Sequence, residues 1–244
     1  MTEAAGDPPA SSDAVASAWT RAVRSIADIN DIDAWPSTVD YALVALAAHF
    51  ESTAVLPRPL MRSPDWTSER VITALAVSAH RSMAVSGYAY NGKRNAPVTE
   101  RAAALVRKID IPSYVGQETG IPFTPDLSLL YVVYDEPGAG LGLHLDSRGY
   151  SDVNLLLCLE KVTPYPEMES STVFITSSGR ETHELDPGQC LIFEGPSTLH
   201  GRTPIRKGER IILLNVGLTR SRDAHAGFAD DDAIDWPAIG ICGC

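Results

Sequence analysis

The 244-residue chain is poor in several things that would point elsewhere. It has only four cysteines, so no disulfide framework of the secreted kind is expected. Two of them, Cys158 and Cys190, lie in apolar runs and read as core thiols, while Cys242 and Cys244 form a lone C-G-C with no partner ligands nearby. No run approaches the roughly 20 apolar residues of a membrane-spanning helix. The opening residues lack the basic and apolar regions of a signal peptide, so a cytoplasmic protein with no membrane partner is expected. Basic residues are scarce: 20 Lys and Arg stand against 31 Asp and Glu, a formal charge of −11. That field opposes nonspecific attraction to a phosphate backbone, and no nucleic-acid partner is expected. Internal repeats and long low-complexity tracts are also missing. What remains is an ordinary globular composition, with 44% hydrophobic residues and enough length to bury a core.

Histidine is scarce too, which makes its placement informative. Leu127 to Tyr134 is apolar, β-branched and aromatic and reads as a strand. A turn-rich stretch from Asp135 to Gly140 follows, and the chain re-enters extended structure at Leu141. On a strand, residues i and i+2 share a face, so His144 and Asp146 project together. An imidazole and a carboxylate so placed can take adjacent positions on one metal. A third ligand must come from another strand. His200 follows a turn at Asp186-Pro187-Gly188 and a short apolar strand, Cys190 to Phe193, and is the best candidate. His183 is the alternative, and His49, His80 and His225 read as surface or packing residues. Two His and one carboxylate leave three positions open, the arrangement of non-haem Fe(II) oxygenases. Arg210 begins another strong strand, with Ile212 and Leu214 on its face by alternation. An Arg directed into a barrel needs an anionic partner, and a carboxylate would serve.

The whole constellation, H-x-D and then G-x-x-x-x-F-x-x-x-x-x-x-H-x-x-x-P-x-x-x-G-x-R, resembles the Fe(II)/2-oxoglutarate-dependent dioxygenases. The prolyl-4-hydroxylase-like branch is nearest, because its basic residue lies ten positions after the distal His, here Arg210. Gly188, Phe193, His200, Pro204 and Gly208 fall where the pattern wants them, and the resemblance covers roughly Leu127 to Arg220. It implies Fe(II) held by His144, Asp146 and His200, 2-oxoglutarate held through its far carboxylate by Arg210, and O₂ as oxidant. Leu141 and Ile212 stand where many relatives carry a tyrosine and a hydroxyl residue. A second contact to the oxo acid must then come from Tyr131, Tyr134, Asn154 or Thr172, with Tyr134 favoured. Asp146 argues against halogenation, since the halogenases of the family have Ala or Gly there.

The fold expected is α+β: a double-stranded β-helix core, jelly-roll or cupin-like, with a helix-rich N-terminal half packed on it. The division is a tail over 1–12, a helical portion over 13–126, a catalytic core over 127–220 and a C-terminal tail over 221–244, making one structural domain. The helices read as Ser12/Asp13 to Ile29, Val39 to Phe50, Trp66 to Ala84 and Thr99 to Lys108. Ser86 to Asn95 reads as an exposed loop, and 112–126 as mostly irregular. Strands are expected at Asp152 to Leu159 and Ser171 to Ser177, with an external loop from Glu160 to Ser170 between them. Trp236 in the acidic C-terminal stretch could anchor it to the body.

Arg148 and Tyr150 leave the metal strand at the barrel mouth, where a substrate would meet them. The activity implied is oxidation of an unactivated C–H bond of a small metabolite, an amino acid or natural-product intermediate, with release of succinate and CO₂. A protein side-chain hydroxylase of prolyl type, or an inactive barrel serving as a binding module, are the alternatives. Oligomeric state is not legible.

Overall fold

The computed structural model describes residues 37–90, 92–147, 149–164 and 169–221, with the side chains of 37–42 set aside. The helix expected before Ile29, Arg148, His225, Trp236 and the terminal cysteines lie outside these residues, as do 165–168 of the expected Glu160–Ser170 loop, whose first residues instead continue strand Val153–Val162. Four helices are described: α1 (Ser37–Glu51), α2 (Glu69–Ser86), α3 (Glu100–Lys108) and α4 (Ile111–Thr119). The strands are β1 (Leu60–Arg62), β2 (Tyr88–Tyr90), β3 (Lys93–Pro97), β4 (Phe123–Tyr134), β5 (Leu141–His144) and β6 (Val153–Val162). They continue with β7 (Thr172–Thr176), β8 (Gly179–His183), β9 (Cys190–Phe193), β10 (Leu199–Arg202) and β11 (Arg210–Arg220).

Two antiparallel sheets result. The larger has the order β1-β9-β6-β11-β4-β3-β2 and the smaller β5-β10-β7-β8. The central strand β11 explains why its sequence is apolar at nearly every position. Ile212, Leu214, Val216 and Leu218 join one core with Ile72, Leu75 and Ala79 of α2, Val106 of α3 and Val115 of α4. Ile211 and Leu213 enter the other core, with Val132, Tyr134, Phe174 and Phe193. A strand buried on both faces loses the apolar–polar alternation of a half-exposed one. A third cluster places Leu43 and Ala47 of α1 against Val173, Ile175 and Leu199 of the smaller sheet. Helices therefore cover an outer face of each sheet, rather than one sheet alone.

Three expectations need correction. The supposed loop over Ser86–Asn95 is a hairpin, β2–β3, in which Tyr88 faces Asn95 and β3 pairs with β4. Gly92 takes the positive φ of 73° that such a turn needs. The supposed irregular stretch contains α4. Pro112 sits in its first turn, where the missing N–H costs nothing, and the Asp110 side chain accepts from Ser113 N. The two-residue turn Ser177-Ser178 returns the chain into β8, which was not foreseen and pairs with β7 from Thr172↔His183 to Thr176↔Gly179. The chain before residue 126 also supplies strands to the larger sheet, since β1 pairs with β9 and β3 with β4.

Candidate metal centre

Cross-strand pairing builds the centre. β5 and β10 are antiparallel neighbours, and His144 lies directly opposite His200. Their rings stand 4.3 Å apart. Asp146 follows two residues after His144, and its backbone N–H donates to the Gly195 carbonyl at 3.0 Å. That bond ties the end of β5 to the turn between β9 and β10. The ligand atoms of His144, Asp146 and His200 all lie within 4.8 Å of one another. His144 Nε2 is 3.5 Å from Asp146 Oδ1, and His200 Nε2 is 3.6 Å from Asp146 Oδ2. Adjacent ligands of an octahedral ion with bonds near ~2.1 Å sit about 3 Å apart, so a small contraction would close this set around a metal.

The tautomers suit that role. His144 Nδ1 lies 3.0 Å from Gly142 O, and His200 Nδ1 lies 2.8 Å from Thr198 O. A carbonyl can only accept, so both Nδ1 atoms carry hydrogen and both Nε2 lone pairs face Asp146. Burial, reinforced by the nearby His144, lowers the His200 pKa to about 4, which keeps its ring neutral near pH 7. For Asp146, burial acts to raise the pKa, but His200 and His144 outweigh it and hold the carboxyl well below the usual range.

A second layer fixes the carboxylate. Asn154 Nδ2 donates to Asp146 Oδ2 at 2.5 Å, and Ser151 Oγ donates to Asn154 Oδ1 at 2.8 Å. Asn154 also lines the cavity, so one of its two amide N–H groups orients Asp146 within the site. Gly195 completes this layer. A Cβ there would overlap Asp146 Oδ2, lie 2.6 Å from Asn154 Nδ2 and 2.9 Å from Asp146 Cβ. Sequence reasoning passed over Gly195, although it lies two residues beyond the strand that leads to His200.

Arg210 is also misplaced by the sequence reading. Its alternation partners Ile212 and Leu214 face the helices, and so does Arg210. Its Nε donates to Glu160 Oε1 at 2.6 Å, and the other oxygen of that carboxylate lies 2.7 Å from His80 Nε2. The alternation was right, but an apolar run buried on both faces does not reveal which face is the interior. The guanidinium near the metal residues is Arg202, two positions after His200 on β10. It is 6% exposed and lines the same cavity of about 60 Å³ as His144, Asp146 and His200. Nη2 donates to Ser170 O at 3.1 Å and to Ser170 Oγ at 2.7 Å, and Nη1 to Thr172 Oγ1 at 3.3 Å. Nε is buried with no partner. The i, i+2 rule that paired His144 with Asp146 would have found it.

The remaining candidates sort cleanly. Tyr134 lines the cavity, with its ring centre 5.2 Å from the Arg202 guanidinium carbon, and burial pushes its hydroxyl up to about 12. Thr172 lines the cavity as well, whereas Tyr131 belongs to the helix-side core. Tyr150 borders the centre through Asn215, whose Nδ2 donates to the Tyr150 hydroxyl at 3.1 Å. Asn215 and Lys93 line the cavity and were not anticipated. His183 packs edge-on to Phe174 at 5.5 Å and is not part of the metal-ligating cluster.

No family model and no curated protein matches the chain. Solved structures do. A Pseudomonas putida prolyl-4-hydroxylase aligns at 18% identity and a TM-score of 0.54, over 73% of this chain and 99% of its own. The non-heme alpha-ketoglutarate-dependent epimerase SnoN from nogalamycin biosynthesis aligns at 13% identity and 0.55, over 72% and 83%. A Trichoplax adhaerens prolyl hydroxylase, solved with a hypoxia-inducible-factor peptide, aligns at 12% identity and 0.54, over 78% and 94%. Identities this low carry the fold alone, and the chain thus has the fold shared by these prolyl hydroxylases and alpha-ketoglutarate-dependent enzymes.

Proposed function

We propose that this protein is a non-haem Fe(II)/2-oxoglutarate-dependent oxygenase, built on a double-stranded β-helix, that oxidises an unactivated C–H bond of a small molecule. One observation carries the reading: two imidazoles with Nε2 lone pairs, and one carboxylate, converge within 4.8 Å at one end of the space between the sheets. A half-buried carboxylate beside two imidazoles gains from a cation between them, and a divalent ion supplies one. The donor set of two nitrogens and one oxygen suits Fe(II), and three ligands from one side leave positions open for a chelating cosubstrate and O₂. When bound, that iron would supply the oxidising power for C–H cleavage, coupled to decarboxylation of the oxo acid to succinate and CO₂.

The protein's own residues do the positioning. Gly142 and Thr198 carbonyls hold the imidazoles in the metal-binding tautomer. Asn154 and the Gly195 carbonyl orient Asp146. Phe174 and Phe193, packed against the His200 ring, keep water from that side of the centre. Tyr150 and Asn215 stand at the approach to the metal, where they would direct the substrate. A peptide side chain is the second reading. It is favoured by β2, an edge strand of the larger sheet with Tyr88 half-exposed, beside which an extended segment could lie.

Succinate formation tests the proposal. Protein loaded with Fe(II) should convert 2-oxoglutarate to succinate slowly without substrate, and faster with a molecule found by metabolite screening. Stimulation by peptides alone would favour the second reading, and no iron-dependent succinate at all would leave an inactive barrel.

A further inference from the structure

The guanidinium on β10 takes no part in holding the metal ligands. Arg202 is buried, and among the described residues no carboxylate lies within ion-pairing distance of it. Its three hydrogen bonds go to neutral oxygens of Ser170 and Thr172. A guanidinium has five N–H groups, so two remain, the orphaned Nε–H among them. Two N–H groups are what a carboxylate takes in a forked contact. A buried, unpaired charge of this kind is strongly unfavourable unless an anion joins it.

The surroundings suit a carboxylate. Thr172 Oγ1 accepts from Arg202, which leaves its O–H free to donate into the cavity. Tyr134 presents its ring to the cation and keeps a neutral hydroxyl. The spacing agrees as well. Arg202 lies two residues from His200 on one strand, about 7 Å away along it. A five-carbon diacid spans roughly 5–6 Å between its terminal carbons. The irregularity between His200 and Arg202, where the pairing slips to Arg202↔Leu141, is a bulge of the kind that re-aims a side chain.

We infer that Arg202, with Tyr134 and Thr172, seats the remote carboxylate of a dicarboxylic 2-oxo acid whose other end faces His144, Asp146 and His200, and that Arg210 does not. This rests on the function proposed above. It moves the anion anchor from the start of β11 to β10, inside the same cavity. Arg210 is kept out by the Glu160 carboxylate that it shares with His80, on the far side of the sheet.

The test compares two acids of equal length, 2-oxoglutarate and 2-oxovalerate, titrated anaerobically into the Fe(II)-loaded protein. The second lacks only the remote carboxylate. The wild type should prefer 2-oxoglutarate by roughly tenfold to a hundredfold, the range for a charge-assisted contact. Arg202→Gln should erase the preference by weakening 2-oxoglutarate to the level of 2-oxovalerate, and Tyr134→Phe should reduce it roughly threefold to tenfold. Arg210→Gln, a change at a half-exposed surface ion pair, should preserve it. Loss of the preference in Arg210→Gln, its survival in Arg202→Gln, or its absence in the wild type overturns the inference while leaving the chelate intact. If Arg202→Gln does not fold, the Arg210→Gln and Tyr134→Phe results decide alone. Failure of the wild type to bind iron or either acid would instead overturn the oxygenase reading itself.

Discussion

Replacing Asn154 by Ala probes how the carboxylate of the metal centre is held. Asn154 Nδ2 donates to Asp146 Oδ2, and its own oxygen accepts from Ser151. The alanine removes a hydrogen bond to a charged acceptor, which contributes about 1.5–3 kcal/mol. It also leaves the buried Ser151 hydroxyl without its acceptor. The Asp146 carboxylate can then rotate away from the two Nε2 atoms, which it now faces at 3.5 and 3.6 Å. Loss of such a supporting partner typically weakens metal binding tenfold to a hundredfold, about 1.4–2.8 kcal/mol, in line with the lost bond. Fe(II) titration of the purified variant, alongside circular dichroism and a thermal melt, reads both effects. The expected result is a native-like spectrum, an iron affinity weakened roughly tenfold or more, and partial recovery in Asn154→Ser. An unchanged affinity in a folded Asn154→Ala protein would refute the reasoning, since it would mean that Asp146 holds its place without this bond.

Two further outcomes follow from the same geometry. Gly195→Ala forces a Cβ into contact with Asp146 and Asn154, so iron binding should fall below detection while the melt moves only by an overpacking cost of about 1–3 kcal/mol; full iron loading of this variant would count against the described turn. Metal-free protein should lose stability in acid. The His200 pKa is lowered to about 4 in the folded state, so the unfolded chain binds the extra proton first. Stability therefore falls as pH drops from about 6.5 towards 4, by up to roughly 3 kcal/mol, and Asp146, also depressed, extends the loss at lower pH. Urea titrations of apo-protein at pH 7 and pH 4.5 would show it, and His200→Gln should flatten the difference.

The metal residues were legible because their information is local. His144-x-Asp146 needs only the two-residue period of a strand, and His200 needs only a turn, a strand and a second turn around it. Two strands of the larger sheet, Cys190–Phe193 and Arg210–Arg220, were legible for the same reason. What failed depended on faces and partners. Arg210 was assigned inward from its alternation with Ile212 and Leu214 and its spacing after His200, but a strand apolar on both faces says nothing about which side holds the cavity. Arg202 lay unnoticed beside His200 in L-H-G-R, which is too short and too mixed to read as a strand until β7 and β5 are known to flank it. Residues 112–126 look irregular because they hold several Gly and Pro, although Pro112 in a first turn is a helix starter. The hairpin at Tyr88–Pro97 is polar and short, and it is extended because β4 offers it an edge.

The central claim is that His144, Asp146 and His200 form one iron site that accepts a 2-oxo acid. The most direct measurement is anaerobic titration of the wild type and of His200→Ala with Fe(II) and 2-oxoglutarate, followed in the visible range. Chelation of Fe(II) by a 2-oxo acid gives a weak charge-transfer absorption. The account predicts that band in the wild type at one iron per chain and its loss in His200→Ala. A wild type with no band and no retained iron, or a variant that keeps both, would contradict it.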